Sequence, residues 1–348
     1  MDEKRDRILG CLLGGAVGDA LGYPVEFLGE PEILRQYGPA GIQTLAQAGS
    51  PARVSDDTQM TLFAANAWIY GCSGEGWDIA TAWLAYREWL GTQGDESRMG
   101  KPRMWIYGDR RLHARRAPGN TCLSAIRSSD QGGTLENPVN NSKGCGTVMR
   151  AAPYGLMPGS RETAMERAAA DAALTHGHPL AWGSSAWLAA CVHALVEGAG
   201  PLADRVADIK LPQRLNPDGT LLALVQKAIA LANREDVTDL EAIHALGEGW
   251  VAEEALAIAL FCALRHRDDF AAALRAAVNH KGDSDSTGAI CGNILGAWLG
   301  AEAVAKAFDL EQLELKDIIQ SLSLDLLRTH TATPIPGQDP AWDQKYRF

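Results

Sequence analysis

The sequence predicts an all-α protein built as a single compact multi-helical domain, and three observations carry that expectation. Ala and Gly are abundant while β-branched and aromatic residues are modest, a mix that suits helices packed closely through small side chains. Segments with apolar residues at helical spacing recur along the chain, and strand signals are few and short. No repeat of fixed period is visible, which argues against a solenoid or propeller. With 348 residues, 46% of them apolar, the chain can bury a substantial core.

The first helix is expected from Lys4 to Leu21. Ile8, Leu12 and Leu13 lie on one side. Gly10, Gly14 and Gly18 recur every fourth residue and give a smooth stripe for a close helix neighbour, and Gly22-Tyr23-Pro24 ends the helix. A second runs from Asp56 to Tyr70, capped by Ser55 and stopped at Gly71. Residues 77–90, 161–174, 181–197, 221–233, 253–265 and 270–278 continue the pattern, then 286–308 as one long helix and 311–327 as the last. Between them, 36–54 is a Gly/Pro/Ala loop, 91–120 is long, polar and rich in Arg, and 128–153 is rich in Gly, Asn and Ser. Long loops inside a compact helical domain are often functional. The domain is expected to span 1–328, and Pro334, Pro336 and Pro340 mark 329–348 as a strap or tail.

Charge and cysteines narrow the function. A formal net charge of -11 repels phosphate backbones, so nucleic acid is not expected as the main partner, whereas a divalent cation suits so many carboxylates. The seven cysteines form no CxxC pair, which points away from a zinc ribbon or disulfide framework and toward reduced thiols in the cytoplasm. The charged N-terminus and the glycines after it fit neither a signal peptide nor a membrane span, so no membrane partner is expected.

Two acidic clusters stand out. Ser55-Asp56-Asp57-Thr58 sits at an expected helix start and, taken alone, reads first as an N-cap. Gly282-Asp283-Ser284-Asp285-Ser286-Thr287-Gly288 also precedes a long apolar helix. In an extended stretch Asp283 and Asp285 face one side. Capping does not require so many acids, and a hard cation with oxygen ligands relieves their repulsion. Spacing alone does not bring the clusters together, because they lie far apart in the chain.

These clusters begin a resemblance. Gly14-Gly15-Ala16-Val17-Gly18-Asp19-Ala20-Leu21-Gly22 with Glu26, Ser55-Asp56-Asp57-Thr58, Gly119-Asn120-Thr121, Lys143-Gly144-Cys145-Gly146-Thr147-Val148-Met149-Arg150, Thr175-His176 and residues 282–288 follow one another as in the ADP-ribosylglycohydrolases, which the chain resembles from residue 8 to about 305. The resemblance implies an all-α fold with a dinuclear metal cleft. It implies Ser55, Asp56, Asp57, Asp283, Asp285 and Ser286 as ligands to two Mg²⁺ or Mn²⁺, with Asp57 and Asp285 indispensable to turnover. Many relatives carry Thr where this chain has Ser55, and either hydroxyl can ligate. Glu26, between apolar neighbours, is implied as a proton-transferring or gating carboxyl.

The remaining motifs divide. Gly144, Cys145, Gly146, Thr147, Val148 and Met149 read as an ordinary Gly-rich turn or, given the resemblance, as a diphosphate cradle, with Gly119 and Asn120 beside it and Ser142 and Thr147 as hydroxyl donors. His176-Gly177-His178 lacks the further ligands of a zinc site and reads as a turn between helices. The resemblance gives His176 a contact to the distal ribose–phosphate region. The implied activity is hydrolysis of the N-glycosidic bond between ADP-ribose and arginine of a modified protein. Serine, acetyl or nucleobase leaving groups, or a non-catalytic ADP-ribose-binding or partner-binding module, are the alternatives. A metal-dependent amidohydrolase built on His176 and His178 lacks the strands it would need.

Overall fold

Eighteen α-helices carry the chain in the computed structural model, which describes residues 3–74, 76–198 and 200–347. They are α1 (Glu3–Gly22), α2 (Glu30–Tyr37), α3 (Leu45–Ala48), α4 (Asp56–Cys72), α5 (Ile79–Thr92), α6 (Asn120–Ser128), α7 (Ala152–Leu156), α8 (Arg161–Ala173) and α9 (Pro179–Glu197). There follow α10 (Leu202–Ala207), α11 (Thr220–Ala232), α12 (Asp239–Leu246), α13 (Ala252–Arg265), α14 (Phe270–Val278), α15 (Ser284–Leu299), α16 (Ala301–Ala307), α17 (Lys316–Arg328) and α18 (Pro340–Tyr346). No strand forms among the described residues, so the expected all-α class holds.

The glycine stripe of α1 decides how the core is assembled. A Cβ at Gly10 would stand 2.3 Å from the Gly296 carbonyl oxygen, one at Gly14 2.3 Å from that of Gly292, and one at Gly18 2.0 Å from that of Gly288. Only glycine permits backbones this close. As numbers rise along α1 they fall along α15, so the helices are antiparallel. The C-terminal end of α1 is therefore laid beside the N-terminal end of α15, with α1 buried from Gly10 onward and α15 buried as far as Ala297. Helix α9 is apolar over a bilayer-spanning length, yet nearly all of it is packed inside the protein as a core helix.

Several expected boundaries are corrected. The segment 286–308 is two helices, broken at Gly300, whose φ of +85° ends α15. The helix expected from 311 begins only at Lys316, after Leu315 in the left-handed region. The expected 36–54 loop contains α3, the 91–120 loop two 3-10 turns (Trp105–Gly108 and Arg110–Leu112) and the 128–153 loop a third, Cys145–Arg150, while α2, α6, α7, α10 and α12 were not anticipated. In the segment after Thr329, α18 buries Trp342 and Tyr346. Trp342 Nε1 donates to Ser73 Oγ (2.9 Å) and Tyr346 Oη to Asp325 Oδ2 (2.8 Å).

Candidate active site

Helix starts deliver the acids. Asp19, fully buried near the end of α1, accepts from Ser55 N through both carboxylate oxygens (2.9 and 3.0 Å) and from Thr58 N (3.1 Å). It pins the first turn of α4 against α1, while Ser55 Oγ accepts from Asp57 N (3.2 Å) as the N-cap. Across the core, Asp283 caps α15, accepting from Ser286 N (3.3 Å), and Asp285 lies in that helix's first turn. The helix starts at Ser284, so these two acids converge through a helical turn and not through the extended stretch the spacing suggested. The antiparallel α1–α15 contact sets the two helix starts over one cleft of about 350 Å³.

The cleft brings together Asp56, Asp57, Asp283, Asp285 and Ser286 from the two clusters, with Glu26 from the turn after α1. Ser55 stands behind them in its cap and does not face the cleft. One carboxylate oxygen from each of Glu26, Asp283 and Asp285 lies within 4.8 Å of the other two. Burial, then the neighbouring Asp283, Asp56 and Asp19, push Glu26 up to about 9. Burial first and neighbouring acids second hold Asp56, Asp57 and Asp285 well above the usual carboxylate range, although Gly119 N donates to Asp56 Oδ2 (3.2 Å). Among the described residues, buried Oε2 of Glu26 and Oδ2 of Asp57 have no hydrogen-bond partner. An all-oxygen set of buried, mutually repelling carboxylates with unpartnered atoms fits a hard divalent cation.

The walls come from the loops. Gly119, Asn120 and Thr121 line one side, and Gly144, Cys145, Gly146, Met149 and His176 another. The bridge between Gly144 and Val251 pins the glycine-rich turn, with Ala252 N donating to Lys143 O (2.9 Å) and Cys145 N to Trp250 O (3.3 Å). Gly144 N already donates to Ser142 Oγ (3.3 Å), so two of the turn's N–H groups are engaged inside the protein. Thr147 and Val148 do not reach the cleft: both are fully buried on the inner side, where Thr147 Oγ1 donates to Ala181 O (3.3 Å). A 3-10 turn exposes only part of its circumference, and these two fall on the core side. Cys145 is a protonated thiol, raised by burial and Asp283, and Sγ donates to Asp283 Oδ2 (2.6 Å). His178 caps α9, accepting from Leu180 N (3.1 Å), as a turn residue between helices should.

Sequence reasoning missed three residues that shape the site. Asp19 was visible as an acid in a stretch of small and apolar residues, but only its buried partners reveal its task. Phe27 and Trp250, both exposed, stack at the cleft with ring centroids 5.8 Å apart and planes 18° from parallel. Nothing in the sequence joins them.

The sequence profile described as ADP-ribosylglycohydrolase matches residues 1–334. The chain belongs to that family. Among its relatives, the ADP-ribosyl dinitrogen-reductase glycohydrolase of Rhodospirillum rubrum is 27% identical over 319 residues, covering 89% of this chain and 91% of that protein. An ADP-ribosylarginine hydrolase of Serratia proteamaculans is 25% identical over 336 residues, covering 93% of this chain and 80% of that one. A solved structure described as an ADP-ribosylglycohydrolase-related protein complex shares the fold, with a TM-score of 0.67 and 24% identity over 95% of this chain and all of that one. The family and these named relatives are ADP-ribosyl hydrolases, which accords with a cleft floored by buried acids.

Proposed function

We propose that the protein is a divalent-cation-dependent hydrolase that releases ADP-ribose from arginine of a modified protein. The observation that carries this reading is the convergence of five carboxyl side chains, Glu26, Asp56, Asp57, Asp283 and Asp285, on one cleft. Asp56, Asp57, Asp283, Asp285 and Ser286 would hold two Mg²⁺ or Mn²⁺, while Ser55 orders the first turn of α4 behind them. Cations there supply ribose orientation, charge stabilisation and a more acidic water. Cleavage at the anomeric carbon develops oxocarbenium character, which the acidic floor favours. Glu26 would hold and move a proton at Oε2, which is buried and has no hydrogen-bond partner among the described residues. The wall of Gly119, Asn120, Gly144, Cys145, Gly146, Met149 and His176 receives the diphosphate and distal ribose, contributing binding energy away from the reacting carbon. The flat Phe27–Trp250 pair gives a guanidinium a face to stack on, which supports arginine over serine or acetyl leaving groups.

The test is incubation with peptides ADP-ribosylated on arginine or on serine, with O-acetyl-ADP-ribose and with ADP-ribosylated nucleic acid, in Mg²⁺ or Mn²⁺, scoring free ADP-ribose by mass spectrometry. Release from the arginine peptide is expected to be fastest. Release from another substrate with the arginine peptide untouched overturns the arginine assignment. Binding of ADP-ribose with no release from any substrate makes the protein a recognition module.

A further inference from the structure

Arg150 is fully buried and does not line the cleft, yet it is tied to Gly146 of the cleft wall and to Thr175, the buried neighbour of His176. Nη1 donates to Gly146 O (3.0 Å), and Nη2 donates to Thr175 Oγ1 (3.0 Å) and Asp171 O (3.2 Å). Nε donates to Asp171 Oδ2 (2.9 Å), Tyr154 Oη donates to Asp171 Oδ1 (2.8 Å), and the guanidinium lies 4.3 Å from the Tyr86 ring centroid. The cation is thus held on every side and has little freedom to move.

The second tie continues. Thr175 Oγ1 lies 2.9 Å from His176 Nδ1. A guanidinium only donates, so Thr175 accepts from Arg150 and keeps its own proton to give. Two acceptors compete for that proton, His176 Nδ1 and the nearby Cys122 sulfur. An imidazole nitrogen is a strong acceptor and a thiol sulfur a weak one. The positive charge of Arg150 also favours a lone pair facing it over an N–H dipole. Both arguments leave Nδ1 unprotonated.

We propose that Arg150 and Thr175 lock His176 in the tautomer that carries its proton on Nε2, so that the contact to the ribose–phosphate region which the family resemblance already gives His176 is made by a fixed N–H donor. Burial, then the charge of Arg150, lowers His176 to about 3, so the imidazole is neutral at physiological pH. Nε2 lies beside the two glycines of the wall: a Cβ on Gly144 would stand 3.3 Å from it and one on Gly146 3.6 Å. Their missing side chains leave its approach clear, and among the described residues no protein group hydrogen-bonds to it. His176 is then a fixed donor and not a base, with Arg150 and Thr175 as its positioning residues. The choice of ligand oxygen rests on the ADP-ribose reading, whereas the tautomer does not.

The experiment uses the full-length protein labelled with ¹⁵N-histidine. Two-bond ¹H–¹⁵N correlation spectra report the tautomer of each ring, with His176 assigned by its loss in His176→Phe. The wild-type ring is expected to show Nε2–H only and not to titrate through the ordinary histidine range. Thr175→Val is expected to give a mixture of tautomers, Thr175→Ser to restore the single form, and circular dichroism to show all three folded. In calorimetry with Mg²⁺, Thr175→Val and His176→Phe are each expected to weaken ADP-ribose binding by about 10-fold, the worth of one hydrogen bond. A wild-type Nδ1–H tautomer, or a Thr175→Val spectrum identical to wild type, overturns the relay. Unchanged ADP-ribose affinity in His176→Phe overturns the donor role. If the wild-type protein binds no ADP-ribose, the proposed substrate and the donor role fail together, while the spectra still judge the relay.

Discussion

Glu26 is a carboxyl group held where its charge is unwelcome, since burial and three neighbouring aspartates raise it from an ordinary 4.5 to about 9. The folded protein without cation therefore keeps a proton that the unfolded chain has lost between those two values. Stability falls with rising pH wherever the folded state binds more protons, so this group makes the cation-free protein less stable as pH climbs from about 4.5 toward 9. Asp19, raised to about 6 by burial, and Asp56, Asp57 and Asp285, also raised by burial, act in the same direction, so wild type must be compared with Glu26→Gln. In EDTA the urea midpoint of wild type should fall relative to that of Glu26→Gln across this window, and Mg²⁺ should shrink the difference by favouring the charged carboxylate. Parallel midpoints would show that Glu26 is an ordinary ionised surface acid. Its sequence surroundings, Tyr23-Pro24-Val25-Glu26-Phe27, already suggested desolvation. Of the neighbouring acids, Asp19 is near in sequence, but Asp56 and Asp283 stand at the starts of distant helices and were not readable there.

At the scale of elements, the α1–α15 contact links packing to chemistry. Gly18→Ala would place a Cβ 2.0 Å from the Gly288 carbonyl oxygen, a backbone atom that cannot swing aside. Such overpacking costs about 1–3 kcal/mol or more, and here it must also part the helix ends that carry Asp19 and Asp285. Gly18→Ala should therefore lower the melting temperature and weaken Mg²⁺ or Mn²⁺ binding together. Calorimetry showing wild-type cation affinity in a destabilised protein would separate the two and refute the link. The stripe that makes this contact was legible because Gly10, Gly14 and Gly18 share a helix face whatever lies opposite. Capping at Ser55 was legible for the same local reason. The break at Gly300 was not, because it depends on tertiary context: a Cβ there would meet the Asp6 carboxylate at 1.8 Å. The inward turn of Thr147 and Val148 depends likewise on how a short 3-10 segment docks on α9. Sequence placed both acidic clusters at helix starts, while the register of two glycine-lined helices is what makes them one site.

For the whole molecule, the question is how a chain of net charge -11 admits an anionic ligand. Long-range repulsion and the local need for a cation are different physical effects and respond differently to salt. The Debye length shrinks from about 10 Å at 0.1 M salt to about 3 Å at 1 M, so added salt removes repulsion from distant surface charge. It does little for Asp56, Asp57, Asp283 and Asp285, which are buried against the cleft floor and poorly screened. ADP-ribose binding should therefore weaken by at least about 10-fold in EDTA, the scale of one lost charge-assisted contact. It should recover only slightly in 1 M NaCl and fully in millimolar Mg²⁺ or Mn²⁺. Uncharged adenosine, lacking the diphosphate, should lose less. Asp57→Ala and Asp285→Ala, folded by circular dichroism, should not regain ADP-ribose affinity on adding the cation, and should release no ADP-ribose from substrate. Full recovery in NaCl alone would mean that the acids act only through the overall field. Wild-type turnover in either variant after verified loss of its cation would remove the cation from the reaction, leaving the clusters as helix caps whose local sequence had explained them already.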